Sequence, residues 1–152
     1  MRFGFHISIA GGFAKVRGRA EKLGCEAIQL FSSNPRGWAV AALDEEDVVQ
    51  FRQDIQESNI SPVFVHAPYL PNLAATDKTY ARKTLDALVQ QMDRCRALGI
   101  DYLICHVGKA MGTSDQAAMA QVATQLNRIL SAAPNQGKVL LENTAGMGSE
   151  VG

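Results

Sequence analysis

The strongest constraint on the fold is a regular alternation between short apolar runs and longer segments of helical periodicity. Each run is four or five residues long. The runs lack a polar–apolar alternation, which is typical of strands covered on both faces. The predicted strands are Phe3–His6, Ala27–Phe31, Pro62–His66, Tyr102–His106 and Val139–Glu142. Because a helix-length segment separates each pair of consecutive runs, the pattern predicts an α/β protein with a parallel sheet.

Four amphipathic segments fill the intervals between the predicted strands. The predicted helices are Phe13–Leu23, a helix that begins after Asp44, a helix of about Lys78–Leu98 and a helix that begins after Ser114. Asp44 and Ser114 are residue types that cap helix N-termini, and Gly99 is a residue type that ends helices. No linker-like or low-complexity segment interrupts the series, so we expect one domain.

Length and charge exclude several classes of protein. The chain has 152 residues, with 15 Lys plus Arg and 15 Asp plus Glu. No apolar run approaches the ~20 residues of a membrane-spanning helix, and no secretory signal is recognisable, so a cytoplasmic location is expected. The balanced charge argues against indiscriminate binding to nucleic acid. Cys25, Cys95 and Cys105 form no CxxC motif and are predicted to be reduced and mostly buried.

Polar side chains close four of the five predicted strands. These residues are His6, His66, His106 and Glu142. In parallel α/β sheets and barrels, the carboxyl ends of the strands converge on the face that binds ligands. A lone histidine there is more often a core residue with its hydrogen bonds satisfied. Three histidines and a glutamate at the same end of the sheet favour a shared metal ion. Two imidazoles and one carboxylate are typical of catalytic zinc, and this donor set also admits manganese or iron.

The loops after these strands carry residues suited to nucleic acids. Arg36 and Trp38 follow the second strand and combine a planar cation with a large ring. The alternative is a turn with Trp38 packed on the rim. Tyr69 and Leu70 follow the third strand and could wedge between base steps, although such residues usually cover the mouth of a barrel. Residues 142–148 lack both GxGxxG and a P-loop lysine, which favours an ordinary loop.

Five segments, in order along the chain, resemble motifs of the endonuclease IV family of apurinic/apyrimidinic endonucleases. They are Gly4–Gly12, Asn34–Trp38, His66–Leu70, His106–Gly108 and Glu142–Gly146. The resemblance implies a (β/α)8 TIM barrel with a three-zinc site. A complete barrel has eight βα units and typically ~250 residues, whereas about five βα steps are present here. Residues 1–152 are therefore expected to form the N-terminal portion of a single TIM-barrel domain.

The resemblance also implies roles for the residues that close the strands. His66, His106 and Glu142 look like the complete protein ligand set of one zinc ion. Glu142 would also bridge to a second zinc and is the expected catalytic carboxylate. His6 matches a family histidine on the same face but outside the zinc ligands, and His6 and Asn143 are expected to support the site from behind the ligands.

The activity implied by the resemblance is cleavage of the phosphodiester 5′ to an abasic site in double-stranded DNA, a step of base excision repair. Arg36, Tyr69 and Leu70 match loop residues that probe the DNA and fill the gap left by the flipped-out sugar. The metal ions would activate a water molecule for in-line attack on phosphorus. Because later ligands have no counterpart here, we expect activity to need a C-terminal part, and open strand edges to drive pairing with it or self-association.

Two other functions stay open at this point. Related metal-dependent barrels that isomerise or epimerise sugars share this ligand geometry, although the Arg36, Trp38 and Tyr69–Leu70 segments favour DNA. The second alternative is a non-catalytic barrel fragment that binds a metal or is purely structural. Incision of abasic DNA, sensitive to a chelator, would separate the first function from both alternatives.

Overall fold

Parallel strands alternate with helices along the whole chain. The structure, a computed structural model, describes residues 1–134, 137–145 and 148–151. The strands are β1 (Gly4–His6), β2 (Ala27–Phe31), β3 (Val63–His66), β4 (Tyr102–His106) and β5 (Lys138–Glu142). The helices are α1 (Val16–Lys22), α2 (Glu45–Gln56), α3 (Lys78–Leu98) and α4 (Asp115–Ala132). The predicted β-α-β-α-β-α-β-α-β order is therefore confirmed.

The sheet follows the order of the chain, which is the arrangement of a TIM barrel. Its order is β1-β2-β3-β4-β5, and every neighbouring pair is parallel. Phe31 pairs with His66, and His106 pairs with Glu142. Register partners in a parallel sheet point to the same face, so the strand-closing side chains share one face and one end of the sheet. Among the described residues, β1 and β5 are the two edges.

The other face of the sheet forms the core against the helices. Its buried strand residues are Ile28, Leu30, Val65, Leu103 and Cys105, and the helices add Val16, Phe51, Leu88, Met92 and Ile129. Phe5 and Leu141 lie on the same face by register, in the edge strands. They are 60% and 45% exposed, so the helix layer covers the central strands and leaves the edges open.

The helix ends follow the predicted signals. The Asp44 side chain accepts a hydrogen bond from the Asp47 N–H at the start of α2, as an N-cap does. The helix α3 ends at Gly99, whose φ of 71° is the left-handed conformation that glycine adopts readily. Both predicted helix ends are confirmed.

Four predicted elements have different bounds in the structure. The strand β1 begins at Gly4 rather than Phe3, and β5 begins at Lys138 rather than Val139. The segment Phe13–Leu23 is divided into a 3-10 turn, Phe13–Lys15, and the α-helix α1. The Asp47 carboxylate accepts hydrogen bonds from the Phe13 and Ala14 N–H groups, which ties this turn to α2. The strand β3 begins at Val63 rather than Pro62, since proline has no N–H to donate to the sheet.

Three further predictions concern the cysteines, the absence of a membrane-spanning helix and the loop after β5. Cys25, Cys95 and Cys105 are free cysteines and are buried, as predicted. No helix of the described part of the chain is long and apolar enough to cross a bilayer. Gly146, which ends the Glu142–Gly146 motif, and Met147 of the predicted loop 142–148 lie outside the described residues.

Candidate metal centre

Three side chains from three strands meet at the carboxyl end of the sheet. His66 Nε2 lies 2.8 Å from Glu142 Oε2, and His106 Nε2 lies 3.8 Å from the same oxygen. One ligand atom from each residue falls within 4.8 Å of the other two. The strands β3, β4 and β5 end at these residues, so the sheet itself brings together side chains that are distant in the sequence.

The hydrogen bonds of His66 require a cation or an extra proton in this cluster. Its Nδ1 lies 2.7 Å from the Ala67 carbonyl oxygen, so Nδ1 carries a proton and donates it. In the neutral ring Nε2 is then an acceptor, yet it faces a carboxylate oxygen, which is also an acceptor. Either an extra proton is shared between Nε2 and the carboxylate, or a metal ion takes the place of that proton.

The donor set and its exposure fit a metal ion with an open coordination position. Zinc bonds of ~2.0 Å in tetrahedral geometry separate ligand atoms by about 3.3 Å. The two separations measured to Glu142 Oε2, 2.8 Å and 3.8 Å, lie on either side of that value. The His66 side chain is only 5% exposed, whereas those of His106 and Glu142 are 39% and 46% exposed. The cluster is therefore anchored on one side and open to solvent on the other.

Aromatic rings surround the two histidines. The Tyr69 ring lies 5.9 Å from the His66 ring and 6.2 Å from the His106 ring, measured between centroids. Phe31 contacts Tyr69 at 5.4 Å and His66 at 5.5 Å, both in edge-to-face geometry. These contacts restrict the orientation of the imidazoles, while Tyr69 remains 59% exposed at the rim.

His6 lies beside this group without joining it. Its ring packs against Phe31 at 4.4 Å, and its Nδ1 lies 2.9 Å from the Gln29 Nε2 amide. Burial lowers the pKa of the His6 imidazole, and the neighbouring His66 lowers it further. Asn143 directly follows Glu142 and is exposed.

The predicted DNA-contacting residues line the same rim. Arg36 is exposed, and its backbone N–H donates to Asn34 Oδ1 at 3.0 Å. The Leu70 carbonyl accepts a hydrogen bond of 2.6 Å from the Tyr80 hydroxyl, which secures the loop after β3. Trp38 packs edge-to-face on Tyr80 at 5.6 Å and stays 37% exposed, so it lies packed on the rim.

Cys105 points away from the cluster, as the strand alternation predicts. It is 3% exposed beneath the helices, whereas its neighbour His106 faces the site. Burial raises the pKa of the Cys105 thiol to about 12, and the Glu142 carboxylate adds to this rise. A thiol that stays protonated is a poor metal ligand.

One supporting residue has no recognisable sequence signal. The Asn72 side-chain amide donates to the Lys109 carbonyl at 3.0 Å, and its Oδ1 accepts from the Lys109 N–H at 2.9 Å. This pair joins the loop after β3 to the loop after β4, close to His106. A Cβ at Gly108 would lie 2.1 Å from Asn72 Oδ1, so glycine is required there. An asparagine in a proline-containing loop is typical of an ordinary turn.

Comparison with known proteins identifies the family of the chain. Residues 18–152 match the AP endonuclease 2 family model, described as a xylose isomerase-like TIM barrel. The probable endonuclease 4 of Methanoculleus marisnigri is 42% identical over 150 residues, which are 98% of this chain and 53% of that protein. The chain therefore spans about half the length of the curated relatives it matches.

Two solved structures have a similar fold, one at higher and one at lower sequence identity. Endonuclease IV from Thermus thermophilus superimposes with a TM-score of 0.87 at 33% identity, over 100% of this chain and 55% of that one. A D-tagatose 3-epimerase-like protein superimposes with a TM-score of 0.71 at 14% identity, over 97% of this chain and 55% of its own. The second similarity shows a shared fold alone.

Proposed function

This chain belongs to the endonuclease IV family of xylose isomerase-like TIM barrels, and on that basis we propose that it carries part of a zinc-dependent active site that hydrolyses DNA at abasic sites. The proposed reaction is cleavage of the phosphodiester 5′ to the abasic site during base excision repair. Since the chain spans about half of its relatives, the proposal concerns the assembled barrel. That residues 1–152 are the N-terminal portion of one barrel domain stays a prediction.

The observation that carries the proposal is the hydrogen bonding of the His66 ring. A proton on Nδ1 and a carboxylate beside Nε2 are what a zinc-binding histidine needs, because the carbonyl bond fixes the ring and leaves Nε2 facing the metal. His66, His106 and Glu142 would hold the zinc ion. When bound, zinc supplies a Lewis acid and lowers the pKa of a water molecule.

The protein groups have separate tasks in this proposal. His66, anchored on Ala67 and nearly buried, would hold the ion from the buried side of the cluster. His106 and Glu142 are half-exposed, so a phosphate group can approach the ion from the solvent side. Glu142 ends the edge strand β5, so its carboxylate would be available to a second metal ion in the assembled barrel.

Rim residues support DNA as the substrate. Tyr69 is 59% exposed and its ring lies beside the two histidines, and a residue that wedges against a base pair must be exposed in this way. Arg36 is exposed on the neighbouring loop and can contact a phosphate with its planar fork. Leu70, half-buried beside Tyr69, would fill the gap left by the flipped-out sugar. Recognition by these few rim residues is compatible with the formal net charge of zero on the chain.

The open edges support a partner for the sheet. Phe5 in β1 and Leu141 in β5 are both exposed on the face that the helices cover elsewhere. We propose that these edges pair with further strands of the barrel, or with a second copy of this chain when no others are present.

The three buried thiols, none of them paired, fit the reducing conditions of the cytoplasm.

A sugar isomerase or epimerase is the second candidate. The similarity to the D-tagatose 3-epimerase-like protein reaches only the fold, and no described residue favours a small sugar over DNA. A non-catalytic fragment is the third. Turnover of a ketohexose by the zinc-loaded chain, without selective binding of abasic DNA, would favour the second candidate.

The substrate is tested by binding of a short fluorescent duplex that contains one abasic analogue. We expect the zinc-loaded chain to prefer this duplex over an intact one by at least about tenfold. A chelator and the Glu142→Gln variant should abolish the preference, whereas the exposed control Glu46→Gln should keep it. Equal affinity for both duplexes, with the chain alone and after the C-terminal strands are added, would contradict the proposed substrate. Incision is then assayed after addition of the C-terminal strands of the Thermus thermophilus enzyme.

A further inference from the structure

Two polar residues of α3, the buried Gln91 and the half-buried Arg94, pack against the loop that follows β2. Gln91, 1% exposed, accepts a hydrogen bond of 2.6 Å from the Ser32 hydroxyl and donates to Ser33 Oγ at 3.3 Å. Arg94 lies one turn further along α3 and donates through Nε to the Ser32 carbonyl at 3.1 Å and to its hydroxyl at 3.0 Å. Gln91 and Ser32 are buried, and buried polar groups of this kind need hydrogen-bond partners.

The Arg94 guanidinium contacts both ends of the loop. Its Nη2 also donates to the Ser32 carbonyl, at the first residue after β2. Its Nη1 donates to the Ala41 carbonyl at 2.9 Å, shortly before α2 begins. One side chain therefore closes the segment 32–41 and fixes its position on α3. A guanidinium can do this because its five N–H donors have a rigid, planar arrangement.

The loop in turn reaches the metal centre through Tyr69. The Pro35 carbonyl accepts a hydrogen bond of 3.0 Å from the Tyr69 N–H, which joins the loop after β2 to the loop after β3. Arg36 is the next residue after Pro35. The Tyr69 ring packs on His66 and His106, so a continuous series of contacts links Arg94 to the two histidines.

We propose that Arg94, together with Gln91, is a positioning residue that sets the placement of Arg36 and Tyr69 on the rim of the metal centre. The inference rests on the proposed function, in which this rim contacts abasic DNA. It assigns to α3, a helix on the opposite face of the sheet, a part in substrate recognition. Arg94 itself touches neither metal nor DNA in this account.

The loop can be observed directly, without DNA. Trp38 is the only tryptophan of the chain and lies inside segment 32–41, so quenching of its fluorescence by acrylamide reports the mobility of the loop. Trypsin cleavage after Arg36, followed by mass spectrometry, reports the same segment independently. Arg82→Met is the matched control, since Arg82 lies on α3, is 68% exposed and pairs only with Asp86 in the described structure.

Arg94→Met should increase the rate of cleavage after Arg36 and the quenching of Trp38, each by at least about threefold. It should also weaken binding of the abasic duplex by about tenfold or more. The zinc affinity should stay nearly unchanged, because the Ala67 carbonyl holds the His66 ring independently of Tyr69. Arg94→Lys should recover part of the loss, because an ammonium group restores the positive charge and N–H donors but not the planar fork that contacts both Ser32 and Ala41. Gln91→Met, which keeps the volume, provides a second variant if Arg94→Met does not fold.

The possible outcomes separate the two proposals. Unchanged cleavage and quenching in Arg94→Met and Gln91→Met would overturn the positioning role, whatever the DNA result. A parallel loss of zinc affinity and DNA binding would also overturn it, because it would indicate a general structural defect. If the wild-type chain shows no preference for abasic DNA while Arg94→Met releases the loop, the proposed function fails and the anchoring of the loop stands.

Discussion

His66 Nε2 lies 2.8 Å from Glu142 Oε2, although the two residues are 76 positions apart in the chain. The proximity follows from parallel pairing, which brings the last residues of β3, β4 and β5 to one end of the sheet. Because His66 Nδ1 is occupied by the Ala67 carbonyl, the proton or cation between Nε2 and the carboxylate is the critical feature of the site.

Phe51 gives a test of the helix–sheet core that is independent of the site. It is 1% exposed and packs edge-to-face on Phe13 at 5.7 Å. Phe51→Ala should lower the free energy of unfolding by about 3–5 kcal/mol, since the cavity cannot close fully. Val49→Ala, 64% exposed on the same helix, should change it by less than about 0.5 kcal/mol. Urea denaturation at one fixed protein concentration measures both, and equal effects would contradict the assigned core.

The buried thiols should be chemically inert in the folded chain. Burial raises the pKa of Cys95 and of Cys105 to about 12. At pH 8 only about one thiolate in ten thousand would then form, and the thiolate is the reactive species. We expect Cys95 and Cys105 to resist iodoacetamide until urea unfolds the chain, as followed by mass spectrometry. Rapid alkylation of either residue under native conditions would contradict this burial.

Self-association is expected through the sheet edges. Phe5 and Leu141 expose apolar surface beside edge strands that have no partner in the described part of the chain. Sedimentation velocity should therefore show dimers or larger species that increase with protein concentration. Leu141→Lys should shift the population towards monomer, because a charge at an edge opposes pairing. A single monomeric boundary for the wild type at all concentrations would count against the proposal.

His6 should contribute to the pH dependence of stability. Its pKa in the folded chain is lower than the ordinary value of 6.5, chiefly because burial disfavours the charged ring. The unfolded chain therefore binds the proton more readily, and the stabilisation present above pH 6.5 is lost as the pH falls through the folded pKa. With chelator present, His6→Gln should reduce the decline in unfolding free energy below this pH. An unaltered decline would show that other groups cause it.

Much of the fold was predictable because local signals and tertiary packing agree. The bounds of β2 and β4 follow from short apolar runs, and the end of α3 follows from the capping residue Gly99. The first predicted helix was too long at its start, because Phe13 and Ala14 donate to the Asp47 carboxylate of α2. Asp47 lies more than thirty residues later in the chain. Periodicity within one segment carries no information about such a partner.

The site was predictable only in part. The strand-closing positions of His66, His106 and Glu142 are visible in the sequence because parallel strands end together. The Gln91 and Arg94 contacts were missed, although a polar Gln91 on the buried face of α3, between Leu88 and Met92, is a recognisable signal. Pairing of the Pro35 carbonyl with the Tyr69 N–H depends on two loop conformations, which composition does not determine.

The central claim is that His66, His106 and Glu142 together hold one zinc ion. Equilibrium dialysis of the folded chain against buffered zinc, followed by elemental analysis, measures this directly. We predict about one zinc ion per wild-type chain, with an affinity at least about 100-fold lower in Glu142→Gln and unchanged in the exposed control Glu46→Gln. A wild-type chain that binds no zinc, or a Glu142→Gln variant that binds it with unaltered affinity, would contradict the claim.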